Sequence, residues 1–332
     1  VALSAVAIDW PPVASPDMLR LRARILARIR AYFAETGALE VDTPVLSRAA
    51  STDPMLESFV TTCTRHGPMC GRQLYLHTSP EFPMKRLLAA GSGPIYQICK
   101  VFRDGEAGRF HNPEFTLLEW YRTGYDHHRL MDEVETLLRT ALAGHIPVTD
   151  AMRVTYRELF LEYAGIDPFA ATSAELESRI RVLGFDVPAG MPREITDPWL
   201  DLLMTHAIQP RLGPGLLFVH DYPASQAALA RRSADDPTVA ERFEAYLNGV
   251  ELANGFNELR DARELEARLA NDASQRRVHG RATVPRDECL INALRHGLPA
   301  CSGVAMGVDR LLMLAGGAPD LASVIAFPFD RA

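Results

Sequence analysis

Two arginines and two glutamates stand at element ends and on apolar runs where they could work on a phosphorylated ligand. Arg103 closes Val101-Phe102-Arg103, and Arg310 opens a helix-like run after Ser302-Gly303-Val304-Ala305-Met306-Gly307-Val308-Asp309. A guanidinium at a strand or helix end is a fork for phosphate oxygens. Glu251 and Glu258 flank Leu252-Ala253-Asn254-Gly255-Phe256-Asn257. Their odd separation puts them on opposite faces of an unbroken strand, so a bulge at Asn254-Gly255 is expected to return both to one face. Two carboxylates with Asn254 would then form a hard oxygen site for magnesium, whose other positions go to phosphates and water. If no cation is present, the glutamates need a basic partner that the sequence does not identify. Glu119 and Tyr121 are two apart and share a strand face, where an acid and a phenol could hold an ammonium group. Thr78-Ser79-Pro80-Glu81 has two readings: a helix N-terminus with a hydroxyl cap and an acid near the dipole, or part of the same polar site. Gly303 and Gly307 would let a flat ligand approach the backbone, although close packing explains such a spacing equally well.

The elements that must carry these residues can be placed from periodicity. Ser15-Pro16-Asp17 opens a helix in which Met18, Leu21, Ile25, Ile29 and Tyr32/Phe33 recur at helical spacing, and Gly37 stops it. Val41 to Leu46, broken by Pro44, reads as an edge or interface strand. Leu74–His77 is a short strand before a helix at 82–90. The stretches 94–103 and 115–122 form a long-looped antiparallel hairpin, and 130–142 is an amphipathic helix. From about 154 to 214 the pattern is a helical elaboration without chemically suggestive clusters. Strands are expected at 216–219, 241–247 and 249–259, a charged helix at 262–275, and a strand passing into a helix over 303–314. Hairpins among varied helices indicate an α+β fold with an antiparallel sheet flanked by helices.

Composition narrows the classes. The 332 residues are 47% hydrophobic and 23% charged, as in a globular protein with a sizeable core. No apolar run is long enough for a membrane span, and Val1–Trp10 lacks the basic flank of a signal peptide. The five cysteines form no metal-type spacing, which reads as reduced thiols in a cytoplasmic protein. A net charge of −7 without a basic stripe argues against a nucleic-acid partner. There is no G-x-x-x-x-G-K-[ST] run, and Gly91-Ser92-Gly93 lacks the context of a dinucleotide fingerprint.

Taken in order, these clusters resemble the three signature motifs of class II aminoacyl-tRNA synthetases, lysyl branch. Val41–Leu46 resembles motif 1, which builds a dimer interface in the family. Phe102-Arg103 through His111-Asn112-Pro113-Glu114-Phe115-Thr116 resembles motif 2, and Gly303–Arg310 motif 3. Glu251-Leu252-Ala253-Asn254-Gly255-Phe256 matches lysyl-type enzymes closely. The resemblance covers nearly the whole chain. It implies a single catalytic domain over 1–332 with no anticodon-binding domain, as in the truncated paralogues that modify elongation factor P. Tyr222-Pro223-Ala224-Ser225-Gln226-Ala227 and Glu241-Arg242-Phe243-Glu244 look like that group.

The resemblance implies an ATP site of Arg103, Asp104, Gly105, Asn112, Glu251, Leu252, Gly307 and Arg310. Arg103 would hold the α-phosphate, Arg310 the γ-phosphate, Asn112 would lie beside the nucleotide, and Gly307 under the adenosine. Glu251 and Glu258 would carry Mg2+. Ser79, Pro80, Glu81, Glu119, Tyr121, Asn254, Glu258 and Ala305 would meet the amino acid, lysine or β-lysine. The partner implied is elongation factor P, acted on by a homodimer, with no role for tRNA or membrane. Two departures stand out. The family usually reads Arg-Asn-Glu where this chain has Arg103-Asp104-Gly105, with Glu106 one place later. Ala305 replaces a glycine of lysyl-tRNA synthetases, and its methyl would crowd an α-amino group and favour an amine one carbon further along. A minimal lysyl-tRNA synthetase and a non-catalytic paralogue remain the alternatives.

Overall fold

The computed structural model describes residues 10–332, so the mildly apolar stretch read for a signal peptide lies almost wholly outside the described residues. Helix α1 (Pro16–Glu35) begins as its sequence dictates: Ser15 Oγ accepts from the Met18 N–H at 3.2 Å, with proline in the first turn. Its apolar stripe of Leu21, Ile25, Ile29, Tyr32 and Phe33 is buried. Then follow β1 (Leu39–Glu40), β2 (Leu46–Ser47), β3 (Val60–Thr62), β4 (Gln73–Leu76) and α2 (Glu81–Ala89). The hairpin comprises β5 (Ile95–Phe102) and β6 (Glu114–Thr123), and α3 (His127–Leu142) comes next. The chain continues through β7 (Met152–Thr155), α4 (Tyr156–Ala164), α5 (Ser173–Val182), α6 (Asp197–Leu203), β8 (Leu216–Pro223), β9 (Val239–Leu247) and β10 (Val250–Asn257). It closes with α7 (Ala262–Val278), α8 (Glu288–Gly297), β11 (Cys301–Gly307) and α9 (Val308–Ala315).

Eight strands form one sheet in the order β1-β5-β6-β11-β10-β9-β8-β7, and β2-β4-β3 form a small second one. The large sheet is antiparallel except at its edges, where β1 joins β5 and β7 joins β8 in parallel. The architecture is α+β, as the hairpins require. The motif 1 stretch differs from the expected strand. Pro44 cannot donate to a ladder, and the chain crosses from the edge of one sheet (β1) to the other (β2), held by Val41 N–H to Tyr96 O (2.9 Å) and His77 N–H to Val45 O (3.0 Å).

One face of the sheet is covered by α1, α3 and α9, whose apolar side chains pack with Tyr96, Leu118, Trp120, Phe218, Phe243, Val304 and Met306. The carboxylate of Glu133 lies beneath this core, bonded by the Arg122 guanidinium, the Trp120 indole N–H (3.2 Å) and the Tyr32 hydroxyl (3.4 Å). On the other face, α2, α7 and α8 pack together through Met84, Leu88, Leu265, Leu269, Leu290 and Ile291. Helices α4–α6 form a separate apolar cluster against Val219, Tyr222 and Tyr246. Capping boxes at Thr155/Glu158 and Thr172/Glu175 start α4 and α5, which accounts for the helical reading of this segment. Its first residues, Val154 and Thr155, instead pair with β8 as part of an edge strand. Among the described residues no helix is long and apolar enough to cross a membrane.

Candidate active site

Between these two helical groups the bare face of the sheet floors a cavity of about 1320 Å³. That is more than the roughly 300–1,000 Å³ typical of one small ligand. Strand register decides what reaches it. Glu119 of β6 stands beside Ala305 of β11, which stands beside Asn254 of β10; the adjacent row is Tyr121, Gly303 and Phe256. All six line the cavity. Glu251 joins Asn254 and Glu258 on this face because the β9–β10 register shifts between Glu251 and Ala253, leaving Leu252 as the extra residue. The bulge expected at Asn254-Gly255 therefore lies two residues earlier. Its consequence for the glutamates is the expected one.

At one end of the cavity, three carboxylates converge. Ser79 Oγ donates to Glu119 Oε2 (2.6 Å) and accepts from the Glu81 N–H (3.0 Å), while Pro80 stands at the helix N-cap without a side-chain cap. Tyr121 Oη donates to Glu119 Oε1 at 2.7 Å. Lys85, one helical turn after Glu81, places its ammonium 2.6 Å from both Glu81 Oε1 and Glu258 Oε2. It is the basic partner that the sequence could not supply. Burial opposes its charge, but Glu258 and Glu81 outweigh that and push Lys85 upward. Burial, with Glu81 nearby, raises Glu119 to about 7. Burial also raises Glu258 to about 8, against the pull of Lys85. Gly303 is required here: a Cβ would lie 2.3 Å from Tyr121 Cε1 and 2.5 Å from Glu258 Oε1. Its bareness thus makes room for protein side chains.

The other end is arginine-rich. The Arg103 guanidinium lies over the Phe115 ring, 5.1 Å from its centroid, with Glu106 Oε1 at 3.7 Å. Arg310 donates to the Glu251 carbonyl (3.0 Å) and carboxylate (3.3 Å). Burial and the charge of Arg310 hold His111 below the ordinary imidazole value, so its neutral ring accepts from Arg310 at 2.9 Å. Burial and neighbouring Glu244 push the Glu251 carboxyl up, and Arg310, Arg242 and Arg103 pull it down. Asn112 Nδ2 donates to the Glu114 carbonyl, and its Oδ1 accepts from the Phe329 N–H at 3.1 Å. A Cβ on Gly307 would meet only Arg310 carbons at 3.7 and 3.8 Å, leaving the floor open there.

The profile of class II tRNA synthetases (D, K and N) matches residues 6–331. The chain belongs to the class II tRNA synthetase family. It is also similar to proteins named elongation factor P–(R)-β-lysine ligase. Those from Vibrio vulnificus and Vibrio cholerae are each 50% identical over 325 residues, 98% of this chain and 99% of theirs. The one from Vibrio parahaemolyticus is 48% identical over the same spans.

Measured against the family's motifs, most expected site residues converge: Arg103, Asn112, Glu251, Leu252, Gly307 and Arg310 toward one end, Ser79, Glu81, Glu119, Tyr121, Asn254, Glu258 and Ala305 toward the other. Three do not reach the wall. Pro80 is buried behind it, and Asp104 and Gly105 are exposed outside it. Gly105 has φ +82, a turn that favours glycine, and Glu106 lines the cavity beyond it. The glutamate shared as a metal pair is also divided: Glu258 faces Lys85, and the acid beside Glu251 is Glu244. Asn254 is likewise engaged, its Oδ1 accepting from Arg242 Nε at 3.2 Å. Among the described residues no three His, Cys, Asp or Glu side chains are arranged to hold a metal. The helical elaboration is less silent than expected. Asp197 and Asp201 of α6 line the cavity, bonded to Ser225 Oγ (2.7 Å) and Gln226 Nε2 (3.0 Å). Their four-residue spacing was the available signal, as was that of Glu81 and Lys85.

Proposed function

We propose that this protein is an ATP-dependent ligase that activates (R)-β-lysine as an aminoacyl-adenylate and transfers it to a lysine ε-amine of elongation factor P. The observation that carries this reading is the pairing, in one cavity, of an arginine-rich end with a pocket of three carboxylates. The relatives at 48–50% identity, named elongation factor P–(R)-β-lysine ligase, support it. A diamino acid would place its ammonium groups among Glu81, Glu119 and Glu258. Ala305 stands between Glu119 and Asn254, and its methyl group would favour an amine displaced from the α-carbon.

In the first step a substrate carboxylate oxygen attacks the α-phosphorus of ATP and pyrophosphate leaves. Arg103 would stabilise the negative charge that grows on the α-phosphate, and Arg310 would hold the terminal phosphate. In the second step the acceptor amine attacks the acyl carbon and AMP leaves with the bonding electron pair; the amine sheds its proton. Holding the adenylate and amine together supplies much of this step. The donor set fits magnesium through Glu251, which lines the cavity; Glu244 beside it is already held by Arg242 and by the Tyr246 hydroxyl (2.5 Å), so phosphate and water would fill most of the shell. The metal would screen phosphate charge there. Exposed Leu39 (59%), just before the motif 1 stretch, and Leu46 (47%), at its end, favour a homodimer through that surface. We place the reaction in the cytoplasm, where translation factors act.

The test is mass spectrometry of elongation factor P after incubation with this protein, ATP and each lysine isomer. A mass increase with (R)-β-lysine is expected. An unmodified factor with every isomer, or charging of tRNA with α-lysine at the rate of adenylate formation, would overturn the reading.

A further inference from the structure

Lys85 belongs to no motif, yet it is nearly fully buried and touches two of the three acids in the amine pocket. We propose that Lys85 is a positioning residue that sets the charge of the amino-acid pocket: it cancels one of three carboxylates, so that the pocket carries two negative charges once all three are ionised, matched to a ligand with two ammonium groups. The inference rests on the reading of this cavity as a diamino-acid site and adds what selects for two amines.

The geometry supports it. Glu81 and Lys85 share one face of α2 at i and i+4, and Glu258 reaches Lys85 from the end of β10. A short, buried, doubly paired ammonium fixes both carboxylates at 2.6 Å, so neither is free to turn toward a ligand and recoil. Glu119 is the third acid, and it is held by Ser79 and Tyr121. The other ionisable groups facing this cluster are the Tyr121 phenol and the Cys99 and Cys301 thiols, all raised by burial and neutral near pH 7. Arg260 acts on Cys301 from farther along the chain. Three unscreened buried carboxylates could not all ionise together. A pocket without Lys85 would take up a proton, and it would accept a diamine only after losing that proton again.

The experiment compares wild type with Lys85→Met and Lys85→Arg in two measurements. One is calorimetric binding of 1,5-diaminopentane and of lysine isomers across about pH 6 to 9, the window in which the carboxylates titrate. The other is amino-acid-dependent exchange of pyrophosphate into ATP. Lys85→Met is expected to move the acid limb of diamine binding upward by about one pH unit or more. It should raise the KM for the diamino acid about tenfold or more, with the KM for ATP unchanged. Lys85→Arg keeps the charge and should retain the wild-type acid limb. Should Lys85→Met fail to fold, Lys85→Gln, which still donates a hydrogen bond, carries the same comparison. A folded Met or Gln variant with the wild-type limb and KM would overturn the proposal and leave Lys85 as structural filling. Absence of diamine binding to the wild type would overturn it too. Diamine binding without any ligation would count only against the proposed transfer reaction.

Discussion

Gly303→Ala places a single methyl group where two functional side chains already stand. The added carbon would lie 2.3 Å from Tyr121 Cε1, 2.5 Å from Tyr121 Cδ1 and 2.5 Å from Glu258 Oε1. Carbon atoms prefer about 3.5–4.0 Å, so the ring must retreat by more than about 1 Å. It cannot do so alone, because Tyr121 is 2% exposed and its hydroxyl is bonded to Glu119. Overpacking of this kind costs about 1–3 kcal/mol of stability. A displacement of about 1 Å in a positioning group costs on the order of 10²-fold in rate. The assay is pyrophosphate exchange with lysine isomers, read as separate KM values for amino acid and ATP, with thermal melting as the fold control. The loss should fall on the amino-acid side. Gly307→Ala is the internal contrast: its methyl would meet only Arg310 carbons at 3.7 Å or more. It should leave melting unchanged and raise the KM for ATP. A Gly303→Ala protein with wild-type melting and wild-type amino-acid KM would refute the reasoning.

The raised carboxyls make a pH prediction with a definite sign. Glu119 near 7 and Glu258 near 8 bind protons that the unfolded chain has released. Their contribution therefore favours the folded state on the acid side and is lost as pH rises through those values. Bound lysine needs the ionised forms, so its protection against melting should grow from pH 6 to pH 8, a window of about two units; a protection constant across that range would contradict it. Glu251→Gln should raise the magnesium concentration needed for exchange, whereas Glu258→Gln should raise the KM for the amino acid and leave the magnesium requirement alone. Equal magnesium effects at Glu251 and Glu258 would restore the pair expected from sequence. Glu133→Ala strands the buried Arg122 guanidinium and should cost about 3–5 kcal/mol by denaturant unfolding, with little change in either KM; a loss under about 1 kcal/mol would show that the network is not stabilising.

The fold was legible where local chemistry and periodicity agree. The Ser15 cap, the apolar stripe of α1 and the hairpin of β5 and β6 lie as expected because short-range rules govern them. The site was legible where strand alternation carries it, as with Glu119 and Tyr121. What escaped was set by long-range packing. The pairing of Lys85 with Glu258 joins residues 173 positions apart and depends on how α2 settles against β10. Asp197 and Asp201 look like ordinary polar residues of α6 until that helix closes the cavity wall. The bulge was expected at Asn254-Gly255 on residue preference. Its position instead follows the β9–β10 hairpin, whose turn has positive φ at Asn248 (52°) and Gly249 (77°) and so fixes the register from the start of β10.

The single unpaired residue at Leu252 has a consequence best put as parity. Before it, odd positions of β10 face the cavity; after it, even positions do. Deleting Leu252 would leave Glu251 and Glu258 an even number of positions apart and still on one face, but taking Leu252 into an unbroken ladder would exchange inside for outside over the rest of the strand. Asn254, Phe256 and Glu258 would turn toward the core, and Ala253, Gly255 and Asn257 toward the ligand. The phosphate end and the amine end of the cavity are thus two readings of one strand in opposite phase. They stay in step only while Leu252 is held out of the ladder.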